Sequence, residues 1–202
     1  MGEVAGYILA GGKAKRFKGI DKMLLKWEEK TFGEHIVESL DRLESIYVSV
    51  SKKPRNIRGA AAYVEDIYQG TGPVGGILSG LISCPQDALF VVPCDTPGID
   101  RTLVDRMLSE YGKYGTPVFP CIDKSLQPLP AIYTKAMRPV LERMVQSGEY
   151  KLRSFFNMEE MVCYNVLDFR KDEIFLYNVN SEEDYEQLME KMDREGRRQK
   201  DG

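Results

Sequence analysis

The stretch VAGYILAGGKAKRFKGIDK, residues 4–22, decides how this chain reads. Val4 to Ala10 is an unbroken apolar run that empties into Gly11-Gly12, the pattern of a parallel strand buried on both faces and leaving through a glycine turn. Directly beyond it stand Lys13, Lys15, Arg16, Lys18 and Lys22, five cations over ten positions. Glycine lets the backbone approach phosphate oxygens, exposed amides donate to them and cations neutralise them, so the segment reads as a phosphate cradle. Each half alone has a plainer meaning, a tight strand exit and a solvated loop. Together they are harder to dismiss, because a cationic loop at the carboxyl edge of a sheet is destabilised by like-charge repulsion unless something anionic offsets it. The spacing is neither the GxxxxGK[ST] of a P-loop nor the GxGxxG of a dinucleotide fingerprint.

Outward from that stretch, strands and helices alternate. Phe32, Ile36, Leu40 and Leu43 recur at helical spacing, Ile46 to Val50 is β-prone, and Ala61 to Val64 predicts a third strand after a polar loop at Lys52 to Gly59. Val74 to Ile82 predicts a helix whose Gly75, Gly76 and Gly80 each weaken it by about 1 kcal/mol relative to alanine, which implies close approach of backbone or ligand. Ala88 to Val92 is the strongest strand and delivers Asp95 to a loop, while Leu103, Met107 and Tyr111 mark a helix capped near Asp100. Strands are expected at Thr116 to Ile122, Leu129 to Tyr133, Met161 to Leu167 and Ile174 to Val179, with helices at Ala136 to Val145 and Leu152 to Met158. Ser181 starts a last helix with Asp184 at the third helical position, as in a capping box, and from Arg194 onward the chain has almost nothing to bury.

This alternation predicts an α/β layered architecture with a mainly parallel sheet, in one domain over residues 1–193 followed by a charged, frayed tail at 194–202. Ligands of open parallel sheets bind beyond the carboxyl ends of the strands, where Gly11, Asp66 and Asp95 would lie.

Composition narrows the function classes. The 43% apolar and 29% charged residues are those of an ordinary globule, and a formal charge of -3 offers no broad positive field for a nucleic-acid backbone. The opening MGEVAGYILAGG carries an acid where a secretory signal is basic, and no uncharged run reaches the roughly 18 residues of a membrane span, so a cytoplasmic location is expected. Cys84, Cys94, Cys121 and Cys163 form no CxxC pair and are expected as buried free thiols.

Leu9 to Lys22 closely resembles the opening motif of the nucleotidyltransferases, specifically the molybdenum cofactor guanylyltransferases. The resemblance continues through Glu65-Asp66, GTGPVGGI (Gly70 to Ile77), PCDTPGI (Pro93 to Ile99), QPLPAIY (Gln127 to Tyr133) and YNVNSEED (Tyr177 to Asp184). It implies a three-layer, Rossmann-like fold, and it implies transfer of GMP from Mg-GTP to the phosphate of molybdenum-bound molybdopterin. By the same resemblance Leu9, Ala10 and Gly11 line the nucleotide site, and Gly12 leaves room beside the base. Arg16 and Lys22 hold the triphosphate, Asp66 meets the nucleoside, Gly76 admits close backbone approach and Asp95 binds Mg²⁺.

The metal role of Asp95 also stands on chemistry, since Mg²⁺ favours one or two carboxylates plus substrate phosphates. A turn or cap role would suit an Asp before Thr-Pro as well. Asn180 is either a further metal or phosphate contact or the shaper of the turn before Ser181. The chain departs from the family pattern at Phe17-Lys18, where methionine-glycine is common, and at Ser49, where an asparagine is usual. Transient contact with molybdoenzymes or their chaperones follows from the resemblance alone. The rivals are a cytidylyl- or guanylyltransferase with another phosphorylated acceptor, and a catalytically silent nucleotide-binding module. His35 and Trp27 are expected in structural roles.

Overall fold

A computed structural model of the chain describes residues 2–10, 16–17, 20–50, 57–60, 62–123, 125–155, 162–165 and 174–200. The apolar run at the start forms β1 (Val4–Leu9). Two small hairpins follow, β2 (Arg16–Phe17) with β3 (Ile20–Asp21) and β4 (Lys26–Trp27) with β5 (Lys30–Thr31), separated by a 3-10 turn at Lys22–Leu24. Next come α1 (Phe32–Ser39), β6 (Ile46–Val50), β7 (Ala62–Glu65), α2 (Gly72–Ser83), β8 (Ala88–Pro93) and α3 (Arg101–Tyr114). The chain continues through β9 (Val118–Ile122), β10 (Ser125–Leu126), β11 (Ala131–Thr134), α4 (Arg138–Ser147), β12 (Val162–Asn165) and α5 (Glu182–Lys200).

The helix starts obey local chemistry. Thr31 and Glu34 exchange a capping box at α1, with the Glu34 carboxylate accepting the Thr31 N–H at 2.8 Å. Asp100 accepts the Leu103 N–H at 2.9 Å to open α3. Left-handed Gly115 and Gly148 close α3 and α4.

The main sheet has eight strands, seven in the path β10-β9-β11-β8-β1-β6-β7 and β12 beside β9. Strands β7, β6, β1 and β8 run parallel, β11 is antiparallel to both β8 and β9, and β12 runs parallel to β9. Alternation along the central strands sends side chains to two cores. Ile8, Phe90 and Val92 pack with α1 and α3, whereas Tyr7, Leu9, Leu89 and Val91 pack with α2 and α4. This is the expected three-layer, mainly parallel α/β architecture. Each fully buried Phe or Ile in those layers contributes about 1.5–3 kcal/mol relative to exposure. No helix among the described residues is long and apolar enough to cross a membrane.

One expected strand is absent. Ile174 to Val179 forms a 3-10 turn over Ile174–Leu176 and then an irregular crossing of the sheet's carboxyl rim. Ile174 and Phe175 are adjacent and both buried, an arrangement the two-residue period of a half-buried strand does not give. Phe175 enters the α1/α3 core, while Ile174 and Val179 join a third cluster with Leu25, Phe32 and Leu188. The helix expected at Leu152 to Met158 is a 3-10 turn over Leu152–Phe155, with its remainder outside the described residues. Beyond its apolar stripe, α5 continues to Lys200, in keeping with the high helix propensity of its Glu, Arg, Gln and Lys residues.

Candidate functional site

The carboxyl ends of β1, β6, β7 and β8 open into a cavity of about 750 Å³ lined by Leu9, Ser49, Asp66 and Asp95, among others, within the usual range for small-molecule sites. Each strand delivers its residue by register: β1 pairs with β8 through Leu9–Pro93, and β6 with β7 through Ser49–Val64 and Val50–Glu65, so Ala10, Asp66 and Asp95 follow on one rim.

At one end of the cavity, Lys22 is the first residue of the 3-10 turn, whose cap is the Asp21 side chain accepting the Met23 N–H at 3.1 Å. That turn aims a lysine that is only 3% exposed, and its ammonium donates to Asn180 Oδ1 at 2.7 Å and to Asp95 Oδ2 at 3.3 Å. The Asp95 side chain keeps 24% exposure, so the pair faces the cavity and not a dry interior. Backbone bonds hold the partners: Val179 N–H donates to the Asp95 carbonyl at 3.0 Å, and Asn180 N–H to the Asp184 carboxylate at 2.9 Å. Asn180 lines the cavity, with its side-chain oxygen on Lys22, and stands one residue before the Ser181 that opens α5.

At the other end, Asp66 is 9% exposed and accepts the Ser49 hydroxyl at 2.8 Å. Below it the Tyr7 hydroxyl donates to the Gly76 carbonyl at 3.0 Å. Burial, reinforced by the Asp66 carboxylate, pushes the Tyr7 phenol far above its ordinary range, which keeps it a donor. Between the two ends lies the amino terminus of α2, with Gly72, Pro73 and Gly76 on the cavity wall, where the helix carries partial positive charge. The glycines of α2 are explained by close approach. A Cβ on Gly76 would stand 2.8 Å from Leu9 Cδ2, and one on Gly80 would stand 2.6 Å from the Tyr7 ring.

The structure therefore brings Leu9, Lys22, Asp66, Gly76, Asp95 and Asn180 to one cavity. Ala10 is fully buried in the α1/α3 core just past β1. Gly11 and Gly12 lie outside the described residues, and Arg16 is described by its backbone alone, in β2 opposite Asp21. Three features were not foreseen: the use of Ser49 to hold Asp66, the contribution of Asn178, and the far wall at Gln127–Leu129 and Tyr150–Arg153. Lys151 and Arg153 alternate just after the Gly148 helix stop, but that spacing alone does not say that they line this cavity.

The remaining polar candidates are structural. His35 Nε2 lies 3.0 Å from the Trp27 carbonyl, with the two rings 4.3 Å apart, which ties α1 to the second hairpin. Cys84, Cys94 and Cys121 are buried, and burial pushes the Cys84 thiol up to about 11. The Cys163 side chain lies outside the described residues.

Among the described residues there is no cluster of three or more His, Cys, Asp or Glu side chains able to hold a metal ion. The donors at the Lys22 end are one carboxylate and one amide oxygen already gathered on a single cationic centre. That hard-oxygen set fits a divalent ion completing its shell with phosphate and water oxygens.

A family model described as the MobA-like NTP transferase domain matches residues 6–162. A Clostridium perfringens protein named "probable molybdenum cofactor guanylyltransferase" is 33% identical over 190 residues, covering 91% of this chain and 95% of its own. One of the same name from Bacillus mycoides is 28% identical over 201 residues, covering 96% and 100%. Among solved structures, molybdopterin-guanine dinucleotide biosynthesis protein A from Archaeoglobus fulgidus matches with a TM-score of 0.77 at 21% identity, over 94% of this chain and 99% of its own. The 2-C-methyl-D-erythritol 4-phosphate cytidylyltransferase of Thermus thermophilus matches at 0.67 and 14%, over 93% and 98%. At such identities the likeness to solved structures speaks for the fold.

Proposed function

The chain belongs to the MobA-like nucleotidyltransferase family, and from that premise we propose that it transfers GMP from Mg-GTP to the terminal phosphate of molybdenum-bound molybdopterin. The observation that carries this reading is the convergence of Lys22, Asp95 and Asn180 at one end of a cavity whose other end is Asp66, with Gly76 on the wall between them. Asp66 and Asp95 follow strands three places apart in the sheet, a span of about 14 Å that suits a nucleoside at one end and a reacting phosphate at the other.

In the reaction, an ionised phosphate oxygen of the acceptor attacks the α-phosphorus of GTP. A phosphorus–oxygen bond forms to it as the bond from the α-phosphorus to the bridging β-oxygen breaks, and pyrophosphate leaves with the electron pair. The acceptor is already deprotonated, so no general base is required. Catalysis falls to positioning two anions and to screening their charge. Lys22 exchanges its carboxylate and amide partners for phosphate oxygens, and Arg16 joins it on the triphosphate. Asp66, steadied by Ser49, meets the nucleoside beside Leu9, and Gly76 lets the backbone of α2 come close. Asp95 and Asn180 would hold the Mg²⁺, which when bound supplies further neutralisation of the phosphate oxygens. Lys151 and Arg153, which line the same cavity, would meet the anionic acceptor.

The test is pyrophosphate release by purified protein with Mg²⁺, phosphorylated pterin cofactor and each of the four nucleoside triphosphates in turn. Release with GTP is expected. Release with CTP alone would assign a cytidylyl transfer, and tight GTP binding without release would assign a regulatory module.

A further inference from the structure

We propose that Asp184 is a positioning residue for transfer, holding the backbone of Asn180 so that its side-chain oxygen meets the Lys22 ammonium at the mouth of the cavity. This rests on the GMP-transfer reading of the site and adds to it a residue outside the cavity wall.

An ordinary capping box needs its third-position carboxylate to accept only the N-cap N–H. Here the N-cap is Ser181, and Asp184 Oδ2 does accept the Ser181 N–H at 2.8 Å while Ser181 Oγ accepts the Asp184 N–H at 3.1 Å. The same carboxylate oxygen also accepts the N–H of the preceding residue, Asn180, at 2.9 Å. This second bond is not needed to start α5, yet it ties down the residue whose side-chain oxygen is the nearer of the two that accept from Lys22, at 2.7 Å against 3.3 Å for Asp95. The neighbouring Val179 N–H is fastened in turn to the Asp95 carbonyl at 3.0 Å. Two consecutive backbone N–H groups are thereby bound, one to the loop that carries Asp95 and the next to α5.

The helix that supplies Asp184 is itself fixed. Leu188 is fully buried, the Tyr185 ring lies 5.9 Å from that of Phe32, and the Tyr185 hydroxyl donates to the Lys26 carbonyl. Asn180 therefore stands between two anchored elements. The Asp184 carboxyl is held below its ordinary value chiefly by the Asn180 N–H, then by Ser181, with a smaller contribution from the Lys22 charge. Asp184 does not touch Lys22 and acts on it through Asn180.

Loss of a cap alone should lower Tm by roughly 2–4 °C and leave turnover at 25 °C unaltered. Loss of positioning should in addition lower kcat about ten-fold, since displacements near 1 Å at a reacting centre carry penalties of that order or greater. The experiment compares wild type, Asp184→Ala, Asp184→Glu, Asn180→Ala and the Asp184→Ala/Asn180→Ala double variant. It measures Tm, kcat and KM for GTP, together with the rate of reductive methylation at Lys22 in the absence of substrate, read by mass spectrometry against exposed Lys30.

Asp184→Ala is expected to lower kcat about ten-fold with KM little changed and to speed labelling of Lys22 several-fold but not of Lys30. Asp184→Glu should restore both, and the double variant should be no worse than Asn180→Ala. Unchanged kcat with Lys22 still protected, or losses that multiply in the double variant, would overturn the inference. If wild type turns over no nucleotide, the GMP-transfer reading fails on its own. The labelling arm then still decides whether Asp184 governs Lys22.

Discussion

Asp66 and Asp95 both follow parallel strands, β7 and β8, on one rim of the same sheet, with β1 and β6 between them. Their surroundings differ in kind. Asp66 is 9% exposed and is held by a neutral hydroxyl from Ser49, 17 residues away in sequence. Asp95 is wetter and is held by an ammonium from Lys22, 73 residues away, that also reaches Asn180 across a separation of 158. On the function proposed above, the Asp66 end serves recognition, and the Asp95 end, where an ammonium balances the carboxylate, serves the exchange of one cationic partner for another.

The contrast is broken most directly at the Asp95 end. Asp95→Asn should reduce turnover by roughly 10²–10³-fold, the scale seen when one charge-stabilising group is lost, and leave circular dichroism and Tm close to wild type, because the carbonyl that accepts Val179 N–H is kept. Full activity in that variant would remove the metal and phosphate role from this end. Asp66→Asn should act differently, raising KM for GTP about ten-fold with a smaller change in kcat. An equal fall in kcat would mean that the two ends are not separate in function. Gly76→Ala places a Cβ 2.8 Å from Leu9 Cδ2, and a rise of a few-fold in KM, without loss of kcat, is expected from steady-state kinetics.

Tyr7→Phe should appear in stability and hardly in kinetics. It removes the donor to the buried Gly76 carbonyl, at a cost of about 1–3 kcal/mol and a Tm lower by several degrees in a thermal melt. The smallest effect serves as a control away from both ends. The Glu34 carboxyl is held below its ordinary value of 4.5, first by the Thr31 N–H and then by the Thr31 hydroxyl. Its contribution is complete above the unfolded value and fades as pH falls through the folded one. Glu34→Gln should therefore flatten the acid limb of the stability–pH curve slightly below pH 4.5, with kcat unchanged.

Legibility followed sequence distance and periodicity. The parallel strands β1, β6 and β8 could be read because burial on both faces leaves continuous apolar runs, α1 because its apolar residues recur at helical spacing, and α3 because its cap is local as well. The strand expected at Ile174 to Val179 failed because its apolar residues serve two different clusters, Phe175 one and Ile174 with Val179 another, and no periodicity along the chain records which cluster a residue will join. The short hairpins at Arg16–Asp21 and Lys26–Thr31 were missed for a related reason, since strands of two residues are too brief to show alternation.

Within the candidate site, Asp66, Asp95, Lys22 and Asn180 could be named from motifs in chain order. The Ser49 hydrogen bond and the cations of the far wall could not, because neither motif nor spacing says which side chains will face one cavity.

By itself, the order of residues determined the alternation of strand and helix, the cationic glycine turn and the acids that follow two of the strands, because each depends on neighbours within a few positions. Only the tertiary structure decided that Lys22 would lie between Asp95 and Asn180, and that Ser49 would reach Asp66. Those contacts depend on strand register and on the docking of α5, which are settled by packing between segments distant along the chain.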